Sequence, residues 1–249
     1  FAYILNHPES AKDLSYLRFA RSASAPLSPE IHRRFEERFN IPIIETMGLT
    51  ETGSQITTNP LPPAIRKIGS PGTAFGNEIM IGDDTLAAVP AGTVGEILVR
   101  GANVMQGYLN QPEETAKTIS SDGWLRTGDL GYLDQDGYVF VSGRIKELII
   151  KGGENIAPRE IDEALLEHEA VLEAAAFAVP CENYGERVEA CIRLKEQVQA
   201  SASDLLAHCQ TRLGKFKSPD TIHILEDLPK GPSGKVQRLK LFGLVYPAE

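Results

Sequence analysis

Four short stretches of this chain set acids, hydroxyls and lysines beside glycines. Glu45 to Gly53 reads ETMGLTETG and follows the apolar run Ile41–Ile44. A buried strand that ends in threonines and a carboxylate offers hydroxyls and charge where open α/β sheets bind ligands. A polar connecting loop would have the same composition. Gly123 to Gly131, GWLRTGDLG, carries the single tryptophan and Asp129, which a simple turn would also explain. Gly143 to Ile156, GRIKELIIKGGENI, holds the Lys146-Glu147 pair, the apolar Leu148-Ile149-Ile150 and the double glycine Gly152-Gly153. An apolar run between glycines is a short buried strand between bends, and the glycines allow positive φ or close approach of backbone to a ligand. A charged hairpin is the plainer alternative. Pro232 to Arg238, PSGKVQR, presents Lys235 from a glycine-proline loop, which a solvated basic loop would do equally.

The elements that must position these stretches are legible in outline. Leu17–Ala23 is a mixed apolar run, and Ser24-Ala25-Pro26-Leu27 a turn. Ser28-Pro29-Glu30 starts a helix, with a serine cap and proline at the first helical position. Ile31, Phe35 and Phe39 follow at helical spacing, and the charges between them belong to the solvated face. From Gly69 to Gly107 the texture is β-rich, with strands at Glu78–Ile81 and Glu96–Arg100. Asp134–Gly137 is a hairpin turn before Tyr138–Val141. Beyond Gly153 the spacing predicts a helix over Pro158–Glu167, strands at Val171–Val179 and Glu189–Leu194, a helix at Ser201–Leu213 and a strand at Thr221–Leu225. The fold class is α/β and α+β. Residues 1–142 form the rear of a large α/β domain with a β-rich subdomain. Residues 143–249 form a small α+β domain.

Composition bounds the partners. The 249 residues are 42% hydrophobic and 24% charged, as in a globular protein with a core. A net charge of −9 without a basic stripe makes nucleic acid and anionic membranes poor partners. No apolar run approaches transmembrane length. Cys181, Cys191 and Cys209 have no metal-binding spacing and an odd count, which fits reduced thiols in the cytoplasm.

Taken in order, MGLTETG, GWLRTGDLG, GRIKELIIKGGENI and PSGKVQR resemble the adenylate-forming superfamily of acyl- and aryl-CoA synthetases, luciferases and peptide-synthetase adenylation domains. The resemblance covers nearly the whole chain. It implies activation of a carboxylic acid, a fatty or other small acyl acid, by ATP and magnesium to an acyl-AMP, then transfer to the thiol of coenzyme A or of a carrier protein's phosphopantetheine. It implies that Thr50 contacts phosphate and Glu51 ligates magnesium, a hard cation that prefers oxygen. Glu45, Thr46 and Met47 would join the nucleotide site, and Ser24-Ala25-Pro26 would line the adenine. Asp129 would accept from the ribose hydroxyls, assisted by Arg144. Lys235 would reach the α-phosphate and carboxylate during adenylation. Lys146 would be the hinge of a swivelling C-terminal lid, and Gly152 and Gly153 would flank the thiol tunnel.

The composition of LIIKGGENIAPREID resembles the acyl-CoA synthetase branch. RFARSASAPLSPE, NPLPP and VPCENYGE are similar to medium- and long-chain acyl-CoA ligases and oxalyl-CoA synthetases. Gly53-Ser54-Gln55 stands where the oxalyl group carries a histidine, which disfavours oxalate. Met47 replaces the family's aromatic, a softer contact for adenine. The Ser/Thr/Gly-rich phosphate loop of the family would lie before Phe1. The chain is therefore expected to be the C-terminal half of a longer enzyme, and without that loop unable to form acyl-AMP by itself. A non-catalytic binding module is the alternative of a different class.

Overall fold

The computed structural model describes residues 1–7, 14–232 and 234–247. The chain divides into two compact units, Phe1 with 8–145 and Ala2–His7 with Lys146–Glu249. The fold is α/β and α+β, with three separate sheets among the described residues. A short helix α1 (Ala2–Asn6) belongs to the second unit.

In the first unit β1 (Ala20–Ser22) pairs in parallel with β2 (Ile43–Leu49). Between them α2 (Pro29–Phe39) buries Ile31, His32 and Phe35 and turns its arginines outward. Ser28 does not cap this helix with its hydroxyl as the sequence suggests. Its carbonyl accepts from the His32 N–H at 2.9 Å, and Pro29 with its fixed φ opens the first turn. Asn40 ends the helix in the left-handed region at φ 52°.

The stretch expected as a loop after Ile44 is instead strand through Leu49, a 3₁₀ turn (Thr50–Thr52) and a return strand β3 (Ser54–Thr58). Pairing decides this: Gly48 and Leu49 lie opposite Gln55 and Ser54, and β4 (Thr73–Ala74) adds to β3. Gly48 is required there, because a Cβ would stand 2.0 Å from the Ser54 carbonyl oxygen. Gly48→Ala is expected to cost about 3 kcal/mol, since the atoms it would meet are β3 backbone and cannot swing aside. Thermal unfolding measures it.

The second sheet is antiparallel, in the order β5 (Glu78–Gly82), β6 (Gly95–Arg100), β7 (Leu125–Leu133), β8 (Val139–Arg144). A helix α3 (Pro112–Thr118) lies between β6 and β7 in sequence. Ile81, Ile97 and Val139 form the core of this sheet, with Met47 packed against it.

The second unit holds the hairpin of β9 (Ile149–Lys151) and β10 (Glu154–Ile156). Its two-residue turn, Gly152-Gly153, has φ values of 60° and 85°, which a tight hairpin of this twist demands. After α4 (Pro158–Leu166) come the long antiparallel strands β11 (Val171–Cys181) and β12 (Gly185–Leu194). Then come α5 (Ala202–Lys217), capped by Ser201 and Asp204, and β13 (Thr221–Ile224), parallel to β12. A short helix α6 (Leu241–Val245) ends the described chain. Strand alternation fills both faces of the sheet. Ala176, Val188, Ala190 and Ile192 meet Ile161, Leu165 and Leu205, and on the other face Ala175, Phe177, Val179 and Cys191 meet Leu228 and Leu241.

All three cysteines are free thiols. Burial pushes Cys191 and Cys209 up to about 11, whereas Cys181 is only half-buried. A thiol-disulfide reagent at mildly alkaline pH should therefore titrate Cys181 alone in the native chain, and all three thiols after denaturation. Rapid native labelling of Cys191 or Cys209 would contradict this packing.

Candidate functional site

In the first unit a cleft of about 450 Å³ opens between the turn after β1 and the end of β2. Arg21, Ala23 and Ser24 line one side, and Thr46 to Thr50 with Gly53, Ser54 and Gln55 line the other. Ser24 and Ser54 hold φ values of 74° and 147°, a region where residues with a Cβ are strained. The parallel pairing of β1 with β2 brings the two sides together, with Ser22 opposite Glu45. Thr50 is exposed at the start of the 3₁₀ turn. Thr52 is buried and closes that turn, with its hydroxyl donating to the carbonyls of Leu49 at 3.0 Å and Ser54 at 3.1 Å. Ser24, Thr46, Met47 and Thr50 of the sequence-derived set thus meet in one cleft.

The remaining members of that set take other places. Ala25 and Pro26 are exposed and do not line the cleft. Glu45 points into the protein. Its Oε1 lies 2.9 Å from His32 Nδ1 and accepts from the Gly69 N–H at 3.3 Å. Strand alternation is the reason, because consecutive side chains leave opposite faces. Glu51 is half-buried, accepts from the Tyr108 hydroxyl at 3.0 Å, and is thereby oriented. Burial, and then the Glu51 carboxylate, push the Tyr108 phenol upward, so it remains a proton donor to Glu51.

Asp129 sits in mid-strand, 5% exposed, and not in a turn. The β6–β7 ladder is irregular around it. Gly128 has φ 71° and donates to Glu96 at 2.9 Å, while the Asp129 N–H donates to Thr127 Oγ1 at 3.0 Å. Such bulges re-aim a side chain. Arg144, opposite it on β8, donates from Nε to Asp129 Oδ1 at 2.8 Å.

In the second unit Lys146 is exposed in a 3₁₀ turn (Ile145–Glu147) that joins the two units in sequence. The Gly152-Gly153 turn is fixed by a bond from Gly152 N–H to the Tyr184 carbonyl at 2.8 Å, while a Cβ at Gly153 would meet nothing within 4 Å. Lys235 is exposed on a loop that closes on itself, with Gly231 N–H donating to the Lys235 carbonyl at 2.8 Å and Gln237 N–H to that of Pro229 at 2.7 Å. Just beyond it, Arg238 is 15% exposed at its side chain. Its Nη2 reaches Asp162 at 2.7 Å and its Nε reaches Glu147 at 3.1 Å, while Nη1 donates to the Ala176 carbonyl.

The model of the AMP-binding enzyme family matches residues 1–109, and that of the AMP-binding enzyme C-terminal domain matches residues 160–235. The chain belongs to the AMP-binding enzyme family. Similarity to individual members of the family runs the length of the chain. It is 54% identical to the sulfoacetate–CoA ligase of Cupriavidus necator over 241 residues, covering 96% of this chain and 47% of that one. It is 42% identical to the oxalate–CoA ligase of Arabidopsis thaliana, covering 94% and 45%. Among solved structures, ATP-bound MatB from Rhodopseudomonas palustris superposes with a TM-score of 0.90 at 33% identity, over 97% of this chain and 49% of that one. The chain spans about half the length of the curated relatives it matches.

Three participants escaped the sequence reading. Tyr108 lies far from Glu51 in sequence and had no signal. Arg238 closes the PSGKVQR motif, where burial of its guanidinium could not be read. Arg21 stands just before the Ser24 turn as a lone arginine, with no spacing to a partner in RFARSASAPLSPE.

Proposed function

We propose that the protein carrying this chain is an ATP-dependent acid–thiol ligase. A substrate carboxylate oxygen attacks the α-phosphorus of ATP, the α–β anhydride bond breaks and pyrophosphate leaves. The thiolate of coenzyme A then attacks the acyl carbon, and the bond to AMP breaks. The observation that carries this reading is the cleft itself: a strained serine turn faces a strand end rich in hydroxyls. The similarity to sulfoacetate– and oxalate–CoA ligases supports it.

In this reading Ser24 and Met47 pack on the adenine and Thr50 donates to phosphate. Asp129, held by Arg144, accepts from the ribose. Among the described residues no group of three His, Cys, Asp or Glu side chains could hold a metal. Glu51, a single oriented carboxylate, suits magnesium, which is commonly held by one or two carboxylates together with substrate phosphates. The ion would neutralise charge on the departing pyrophosphate. Lys235 supplies a fixed positive charge where carboxylate and α-phosphate oxygens crowd together. Residues from Lys146 to the end act as a lid that takes up different positions in the two half-reactions, with Lys146 at the joint. Gly152 and Gly153 leave room for the pantetheine arm. No helix among the described residues is long and apolar enough to cross a membrane. We place the protein in the cytoplasm, where free thiols persist.

The full-length gene product is assayed for acid-dependent exchange of pyrophosphate into ATP and for loss of free coenzyme A thiol. Both are expected with a short-acid panel. Exchange without thiol loss would point to another acceptor, such as a carrier protein, and absence of both would overturn the reading.

A further inference from the structure

Arg21 gives the cleft a positive charge that no carboxylate among the described residues neutralises. Its Nη2 donates to Gln55 Oε1 at 2.7 Å, and Nε and Nη2 lie 3.4 and 3.3 Å from Thr46 Oγ1. Both partners are neutral. No ion pair joins Arg21 to a carboxylate among the described residues, whereas Arg66, Arg100, Arg126, Arg144, Arg187 and Arg238 each have one. A guanidinium presents five N–H donors in a planar fork, so several remain unused.

Gln55 extends the same pattern. Accepting from Arg21 through its oxygen, it turns its NH₂ away, and no described residue accepts from that nitrogen. Ser54 adds a hydroxyl to the lining. The wall is therefore rich in donors and carries a net positive charge. A purely apolar acyl group packed against it would strip water from a charge and an amide without replacing their bonds. A carboxylate or sulfonate has only acceptors and matches the fork in two places.

We propose that this cleft selects acids with a second anionic group besides the carboxylate that is activated, and that Arg21 and Gln55 receive that second group. The inference rests on the ligase reading above and names its substrate class. Arg21 is a specificity residue here and takes no part in bond making.

The test uses the full-length gene product, with sulfoacetate and malonate as two-anion acids and propionate and butyrate as one-anion acids. The wild type is expected to prefer the first pair. Arg21→Gln should lower the ratio of kcat/KM for sulfoacetate over butyrate on the order of 10²-fold, through the KM for the acid. The KM for ATP should stay within about two-fold, because the lost bond is to the acid. Arg21→Lys, which keeps charge but loses the fork, should restore part of the ratio, and Gln55→Leu should lower it less than Arg21→Gln does. A ratio unmoved by Arg21→Gln, or a wild type that prefers butyrate, overturns the proposal. A raised KM for ATP with unchanged acid preference assigns Arg21 to the nucleotide and also overturns it. If the wild type makes no acyl-CoA from any acid, the ligase reading has failed. Calorimetric titration with sulfoacetate in the presence of AMP then decides the subsite alone: Arg21-dependent binding upholds it, and no binding overturns it.

Discussion

Arg238→Leu is expected to destabilise the C-terminal unit by about 3–5 kcal/mol, the range found when one partner of a buried ion pair is removed. The substitution keeps much of the apolar stem but strands two carboxylates and a carbonyl. Asp162 is 13% exposed at its side chain and loses the bidentate fork, and Glu147 loses its Nε contact. For a unit of this size the loss lowers Tm by more than about 10 °C. It should also depend on pH. Burial already holds Asp162 above its ordinary range despite the guanidinium beside it. Without Arg238 the carboxyl rises further, so at acid pH it is protonated in the folded variant and needs no counter-charge. At neutral pH the unfolded chain has the acid ionised, and the folded variant must bury that charge or take up a proton. The deficit is therefore smallest at acid pH and grows as pH rises through the range between the folded values of Asp162 in the wild type and in the variant, since the unfolded carboxyl is the same in both. Asp162→Asn in the Arg238→Leu background should recover part of the stability at neutral pH and little at acid pH. A loss under 1 kcal/mol, on the order of an exposed pair, would show that this guanidinium is solvated.

The sequence revealed local order far better than long-range pairing. The strand before Gly152-Gly153 is Ile149–Lys151, buried on one face only, with Ile150 exposed. It and the bend were readable because the signal is local: apolar side chains, then two residues free to take positive φ. The helix beginning at Pro158 was readable for the same reason. Asp129 was not, since Thr127, Gly128 and Asp129 have turn chemistry. Only pairing with β6 and β8 draws them into a strand and sets Arg144 opposite the carboxylate. MGLTETG lost its first half to strand through the same tertiary override. In the site, Thr46 reaches the cleft while its neighbour Glu45 turns to His32, a consequence of pleat and register that composition does not carry. Arg21 was invisible because a lone arginine has no spacing to argue from. Its meaning comes from Thr46 and Gln55, which approach it only once β1, β2 and β3 are paired.

Lys235→Ala is expected to slow adenylation by on the order of 10²–10³-fold, about 3–4 kcal/mol, as for loss of one fixed donor at a centre of developing charge. Thioester formation from supplied acyl-AMP should be largely spared, because in the proposed reaction the lysine acts only while carboxylate and α-phosphate are being joined. The fold does not depend on it: Lys235 is exposed, and its loop is closed by backbone bonds that the substitution leaves intact. Gly153→Leu should show the opposite split. A Cβ added at Gly153 meets nothing within 4 Å, so the stability cost comes mainly from the φ of 85°, about 1–2 kcal/mol. Adenylation then proceeds near the normal rate, whereas a bulky side chain beside the pantetheine path obstructs thiol attack. Both variants are to be assayed in the full-length gene product, with pyrophosphate exchange for the first step and coenzyme A consumption from pre-formed acyl-AMP for the second. Opposite splits would follow if one lid presents different loops in the two steps. Equal loss of both steps in each variant would mean that Lys235 and the Gly152-Gly153 turn serve one state together, and the assignment of a step to each loop would fall.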